Sequence, residues 1–148
     1  MTTLQDVLSD KSKRRDLIAD CVVVIDEEVK SKGGLSGVAI KGAYRLVKGV
    51  KPSFIQDSVD SLIDDFAKKL QPFAEEAAEK GVSVSTFFKE NSPRIADDLL
   101  GITDARAQRS SHKSVRKTYE KLRPKAKQHV AAACPRIGNL VEKYTSND

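Results

Sequence analysis

Apolar residues recur along most of this chain at steps of three and four, the spacing that gathers side chains on one face of an α-helix. The longest such stripe is Val115, Tyr119, Leu122, Ala126, Val130, Ala133, Ile137, Leu140 and Tyr144. It predicts a C-terminal core helix. Pro124 and Pro135 fall inside the stripe without changing its phase. A proline lacks an N–H and crowds the carbonyl four residues back, so a kinked helix, or short helices in line, is expected there.

Earlier stretches follow the same rule. Thr3 is placed to cap a short helix through Leu8, and Ser9, Asp10 or Ser12 to cap a longer one. In that second helix Leu17, Ile18, Cys21, Val22, Ile25 and Val29 form the stripe, and Gly33–Gly34 ends it. The run Cys21 to Ile25 also suits a β-strand by local propensity, but the helical period on both sides argues against one. From Leu35 to Val50, Leu35, Val38, Ala39, Gly42, Ala43 and Leu46 cover one side while Ile40, Tyr44 and Val47 cover another. This predicts a helix buried on more than half its circumference and lying near the centre of the domain. Gly37 and Gly42 would there admit the close approach of a neighbouring helix.

Lys51–Pro52–Ser53 breaks the chain, with Ser53 available as a cap. Ile55, Val59, Leu62, Ile63, Phe66 and Leu70 line the next helix, and Phe73 and Ala77 continue the line past Pro72 toward Gly81. A loop at Val82–Ser85 leads to a short helix bearing Phe87 and Phe88. Asn91–Ser92–Pro93 reads as a stop and restart capped by Ser92, and Ile95, Leu99 and Ile102 mark another buried face. Gly101 and Thr103 suggest a break before Asp104. The pattern as a whole predicts an all-α fold: one domain over residues 1–144, about six to eight helices with proline-kinked members, and a disordered tail at 145–148.

Composition agrees with this reading. A chain of 148 residues is one ordinary domain and buries ~70% of the surface its unfolded form exposes. It has five Phe, three Tyr and no Trp, so its core is expected to be mostly Val, Ile, Leu and Ala. Cys21 and Cys134, the only cysteines, sit on apolar faces and are expected to be reduced, buried thiols. The longest apolar run is too short to cross a bilayer, and the N-terminus has no secretory pattern, so a cytoplasmic protein is expected.

Charge adds what the apolar pattern cannot. The net +5 divides into blocks: −3 for residues 1–29, +6 for 30–51, −6 for 52–104 and +8 for 105–148. In an antiparallel hairpin Lys48 comes level with Asp57, Arg45 with Asp60 and Lys41 with Asp64. Three partly exposed salt bridges are therefore expected, which would occupy the first basic block internally.

The second basic block is the candidate for function. Arg106, Arg109, Ser110, Ser111 and Lys113 precede the long helix. If Ser110 or Ser111 starts that helix, its backbone N–H groups and dipole favour an anion that the two arginines could close around. Arg116 and Lys117 extend the set. The competing reading has Ser as a plain cap and the arginines paired with Asp97, Asp98 or Asp104. The wider cationic face, Arg106 to Lys127, could contact a nucleic-acid backbone through phosphates. It could instead meet the acidic block of a second copy, giving a homodimer. An anionic membrane surface fits less well, because membrane helices of that type expose large apolar side chains and here these are needed for the core.

Catalytic chemistry has little to stand on. There is no metal-ligand spacing, no exposed-Ser hydrolase motif and no dinucleotide fingerprint, and Gly33–Gly34–Leu35–Ser36–Gly37 lacks the Lys-Ser/Thr ending of a phosphate loop. His129 and Cys134, five residues apart, do not share a helix face. Asp57, Asp60, Asp64 and Asp65 point away from the expected core. The favoured reading is a non-enzymatic binding or interaction protein that needs no cofactor. The alternative is a small enzyme or ligand carrier with an apolar pocket between helices.

Leu35–Ser36–Gly37, Tyr44, Asp104–Ala105–Arg106, Arg109–Ser110–Ser111, Tyr119–Glu120–Lys121–Leu122–Arg123 and Val141–Glu142–Lys143–Tyr144 together resemble a family of small, uncharacterised, all-helical bacterial proteins, chiefly actinobacterial. The resemblance covers nearly the whole chain. It implies a stand-alone bacterial cytoplasmic protein, and no activity, cofactor or site comes with it.

Overall fold

Three of the helices begin where a side chain gives the backbone a substitute hydrogen-bond partner. In the computed structural model, which describes residues 2–146, Thr3 opens α1 (Leu4–Ser9) with a reciprocal capping box to Asp6. The side chains of Ser36, Val47, Val50, Val115 and Thr118 lie outside the description, and so do Asn147 and Asp148 of the expected tail. Of the three candidate caps for α2 (Lys11–Ser31), Asp10 is used, accepting from the N–H groups of Ser12 and Lys13. Gly34, at φ +69°, makes the turn into α3 (Gly34–Val50). α4 (Phe54–Glu79) runs unbroken through Pro72, and Gly81, at φ +70°, ends its turn. Ser83 caps α5 (Val84–Glu90). The cap of α6 (Ser92–Gln108) is Asn91 rather than Ser92, and its amide donates to the Phe87 carbonyl.

One expected interruption is absent. α6 passes through Gly101 and Thr103, where the Thr103 hydroxyl donates to the Leu100 carbonyl and the neighbouring Ile102 is buried. Tertiary contact there outweighs a propensity cost of about 1 kcal/mol for one glycine. α7 (Lys113–Thr145) is a single helix of 33 residues containing Pro124 and Pro135. It also runs one residue past the boundary drawn from sequence: Thr145 is buried, with its hydroxyl donating to the Val141 carbonyl. All described regular structure is α-helix.

The core lies between α1, the C-terminal part of α4, α5, the first half of α6 and the C-terminal half of α7. Phe73, Ala74, Ala77, Phe87, Phe88, Ile95, Cys134 and Val141 are its centre. Phe73 and Phe88 meet edge to face at 6.3 Å, a favoured aromatic geometry. A second cluster of Val7, Leu17, Ile18 and Ile63 joins α2 to α1 and α4. On α7 the deepest line is Cys134, Gly138, Val141 and Thr145, with Val130, Ile137, Leu140 and Tyr144 half-buried beside it. The polar side chain of Gln71 is buried with them and accepts the Leu4 N–H at 2.9 Å, tying α1 to α4.

α3 departs most from expectation. It is peripheral, resting on α2 and touching α4. Leu35 is 91% exposed, Val38 69% and Leu46 70%. Its inner side carries Gly37, Ile40 and Tyr44, and the Tyr44 hydroxyl donates to Asp26 of α2. Gly37 is needed for the hairpin turn itself: a Cβ there would stand 2.6 Å from the Lys32 carbonyl, whereas one at Gly42 would meet nothing. The expected charge ladder is also replaced. Asp60 and Asp64 are bridged by Arg14 from α2, Asp57 pairs with Lys51, and Lys48 turns to Asp26. α2, not α3, lies along the acidic side of α4.

Gly138 sets how close α5 comes to α7. A Cβ at this position would lie 2.6 Å from Phe88 Cβ and 3.2 Å from Ser85 Cα. Gly138→Ala is therefore expected to destabilise by ~1–3 kcal/mol through overpacking, despite the better helix propensity of alanine. Gly101→Ala, with open space around it, is expected to stabilise by up to about 1 kcal/mol. Urea denaturation of both variants tests this, and a Gly138→Ala protein as stable as wild type contradicts the packing argument.

Candidate anion-binding surface

The α6–α7 corner places the candidate residues as follows. Arg106 leaves the corner for α4, donating to the Ser61 hydroxyl at 3.1 Å and the Ser61 carbonyl at 3.0 Å, with Asp65 at 3.6 Å. Arg109 donates to the Ala105 carbonyl of its own helix. Arg116 reaches back to the Ser110 carbonyl. The Ser110 hydroxyl accepts the His112 N–H at 3.3 Å, and His112, not Ser110 or Ser111, stands at the cap position, without a side-chain cap bond. Ser111, Lys113 and Lys117 are exposed. Each arginine thus meets a different protein oxygen, and the corner holds no common cradle around one compact anion.

Further along α7 the cations divide into two groups. Arg123 pairs with Asp104 at 3.0 Å and reaches Asp97 at 3.6 Å, and Lys127 holds Asp97 at 2.9 Å. Tyr119 also donates to Asp104 and lies 2.7 Å from the Thr103 hydroxyl. Two of the acids expected to neutralise Arg106 and Arg109, Asp97 and Asp104, are taken instead by residues about two to four turns into α7. Lys113, Lys117, Lys121 and Lys125 form the other group. They are exposed and make no ion pair among the described residues. Successive steps of four keep them along one side of the helix for roughly 18 Å. Glu120 is the one acid in that stretch. Lys121 and Lys125 were legible as part of a cationic face, but the separation of paired from unpaired cations depends on which residues α6 presents.

Other chemistry is sparse. Cys134 donates weakly to the Ser92 carbonyl, and burial pushes its thiol up to about 11 and that of Cys21 to about 12, so neither is poised as a thiolate nucleophile. Among the described residues no group of His, Cys, Asp or Glu is arranged to hold a metal ion. Two surface hollows of about 280 and 290 Å³ are open and lined by charged groups, including Arg14, Asp57 and Asp60 in one and Lys51 and Arg106 in the other.

Fold and surface define a protein class: a small all-α bundle with an unpaired lysine stripe on its longest helix. The chain belongs to the family of unknown function DUF6918, whose model matches residues 4–145. No curated protein and no solved structure matches the chain. No described helix is long and apolar enough to cross a membrane.

The α6–α7 pairing carries a pH dependence of definite sign. The Arg123 guanidinium, aided by the Tyr119 hydroxyl, holds Asp104 below its ordinary 3.8, and Lys127 does the same for Asp97. A depressed carboxyl stabilises the fold fully above its unfolded value. That contribution is lost as pH falls below 3.8 through the lowered native values. Asp104→Asn is expected to be less stable than wild type at pH 7 and to show a shallower loss in acid, measured as denaturation midpoints from pH 7 to 2. Parallel acid limbs for the two proteins exclude this role for Asp104.

Proposed function

We propose that this protein is a non-enzymatic binding protein that contacts an extended anionic partner, a nucleic-acid backbone, along α7. The observation that carries the reading is the stripe Lys113, Lys117, Lys121 and Lys125, exposed and without ion pairs among the described residues, on a helix whose neighbouring Arg123 and Lys127 are neutralised. A convex line of point charges suits successive phosphates better than one small phosphate group, which needs convergent donors. Arg106, Arg109 and Arg116 are already engaged by protein oxygens, so Ser110, Ser111 and these arginines shape the corner while the lysines make the contact. Such binding reads charge, not base sequence. The setting proposed with it is the bacterial cytoplasm.

The competing reading, a small enzyme or ligand carrier, calls for an apolar pocket between helices. The two hollows beside α2 and beside the α3–α4 turn mix charged groups with Ile18 in one and with Phe54 and Leu62 in the other, and both are open to solvent rather than enclosed between helices.

Fluorescence anisotropy with labelled single- and double-stranded DNA and RNA, across a salt series, tests the proposal. Binding to duplex DNA should weaken with salt, and replacing all four lysines by alanine should reduce the log–log salt slope by about 3–4. Arg106→Ala should change that slope little. No binding at low salt, or a quadruple variant with an unchanged slope, overturns the reading.

A further inference from the structure

The outward side of α3 forms a second surface, independent of the lysine stripe. Leu35, Val38, Gly42, Leu46 and Gly49 follow one another at steps of three and four, with Ala39 and Ala43 beside them, and all are exposed. Leu35, Val38 and Leu46 are the three most exposed large apolar side chains described. The opposite side of the helix, through Ile40 and Tyr44, is the one directed at α2. Nothing among the described residues covers the apolar side.

The helix itself carries one sign of charge. Lys41, Arg45 and Lys48 lie together on one flank of the apolar strip, as their spacing of four and three requires. From Lys30 to Lys51 the chain contains six Lys or Arg and no Asp or Glu. Among the described residues two ion pairs reach that flank and its ends from α2, Lys48 with Asp26 and Lys32 with Glu28, and one from α4, Lys51 with Asp57. A helix with large apolar residues outward, cations alongside and no acid is built for the boundary between water and an anionic lipid surface: its side chains enter the acyl region while its cations stay among the headgroups.

The same facts argue against other occupants. A second copy would bring one acid-free segment against another, with no carboxylate between Lys30 and Lys51 to pair the cations. The nearby acids Asp57, Asp60 and Asp64 are held by Lys51 and Arg14. A helical peptide partner is normally received in a groove, and this face is a single exposed helix; the hollows of the surface are lined by α2 with α4 and by the α3–α4 turn with Arg106. A deformable bilayer accepts a convex ridge, and an anionic one supplies the missing charge.

We propose that α3 is a membrane-surface helix, which seats Leu35, Val38 and Leu46 in an anionic bilayer with Lys41 and Arg45 at the headgroups. This is peripheral attachment, distinct from spanning.

The test uses the full chain and vesicles of phosphatidylcholine, with or without 30% phosphatidylglycerol as a roughly cell-like anionic fraction. The expected result is co-flotation with the anionic vesicles alone, weakened by salt. Lys41→Ala/Arg45→Ala should reduce partition by about 30-fold, and Leu35→Glu/Leu46→Glu should abolish it. These positions are exposed or half-exposed, and unchanged helical circular dichroism checks that each variant folds. The chain has no Trp, so Leu46→Trp supplies a single reporter whose emission should shift to the blue on adding anionic vesicles. Replacing the four α7 lysines should leave that shift in place. Absent flotation, equal flotation with neutral vesicles, or flotation lost only when the α7 lysines are replaced overturns the proposal. So does a concentration-dependent dimer mass abolished by Leu35→Glu/Leu46→Glu without vesicle binding, which assigns the face to a second copy.

Discussion

A close contact in the core joins α5 and α7, where Gly138 leaves room for the Phe88 side chain and for the backbone at Ser85. Phe88 is fully buried and meets Phe73 of α4 edge to face. One missing side chain on α7 thus brings three helices to a common centre. Cys134 and Val141, one turn to either side, complete the wall. Protein interiors are packed as densely as organic crystals and absorb extra volume poorly, which makes this small residue a structural requirement at a position that local propensity would give to alanine.

Around that centre the charges act as register marks more than as a source of stability. Arg94 meets Glu76, Arg106 meets Asp65 and Ser61, Arg136 meets Glu27 and Glu28, and Lys143 meets Asp20. Exposed pairs of this type contribute ~0–1 kcal/mol each. Their use is in selection: they fix antiparallel α4–α6, α6–α7 and α2–α7 neighbours and discourage sliding of helices whose apolar faces are chemically alike. The blocks of alternating sign along the chain become, in space, complementary edges. Among the described residues, the outer lysines of α7 and Lys41 and Arg45 of α3 are among the cations that this matching leaves without an ion pair.

Much of this was readable before the fold was known. Thr3 and Asp10 mark helix starts because a side-chain oxygen followed by a periodic apolar run has few other uses, and Phe87, Phe88, Ile95 and Leu99 are core because their spacing leaves one face to bury. α3 was misplaced for a physical reason. Leu35, Val38 and Leu46 are apolar on a helical period, but a period states which side chains share a face, and the presence of a covering partner is a separate fact. Gly101 and Thr103 were over-read as a break, since neither propensity nor turn chemistry registers the hold of Tyr119 and Arg123 on Asp104. The salt-bridge partners failed with α3, because pairing by level along two helices assumes the helices are neighbours. The corner arginines follow the same lesson: residue types nominate an anion site, while the oxygens already around them decide its vacancy.

Unequal attachment has its own thermodynamic meaning. α5, the first half of α6 and the C-terminal half of α7 share one buried cluster, so their backbone amides are expected to open only with the whole molecule, whereas α3 is held through Tyr44, Ile40, Gly37 and a few polar contacts. Regions with few buried apolar contacts open locally, at free energies well below global unfolding. α3 is therefore expected to open ahead of the core, and whatever orders it needs to work only against that local equilibrium. The cost of a responsive surface is confined to one hairpin, and the cooperativity of the remaining fold does not depend on it.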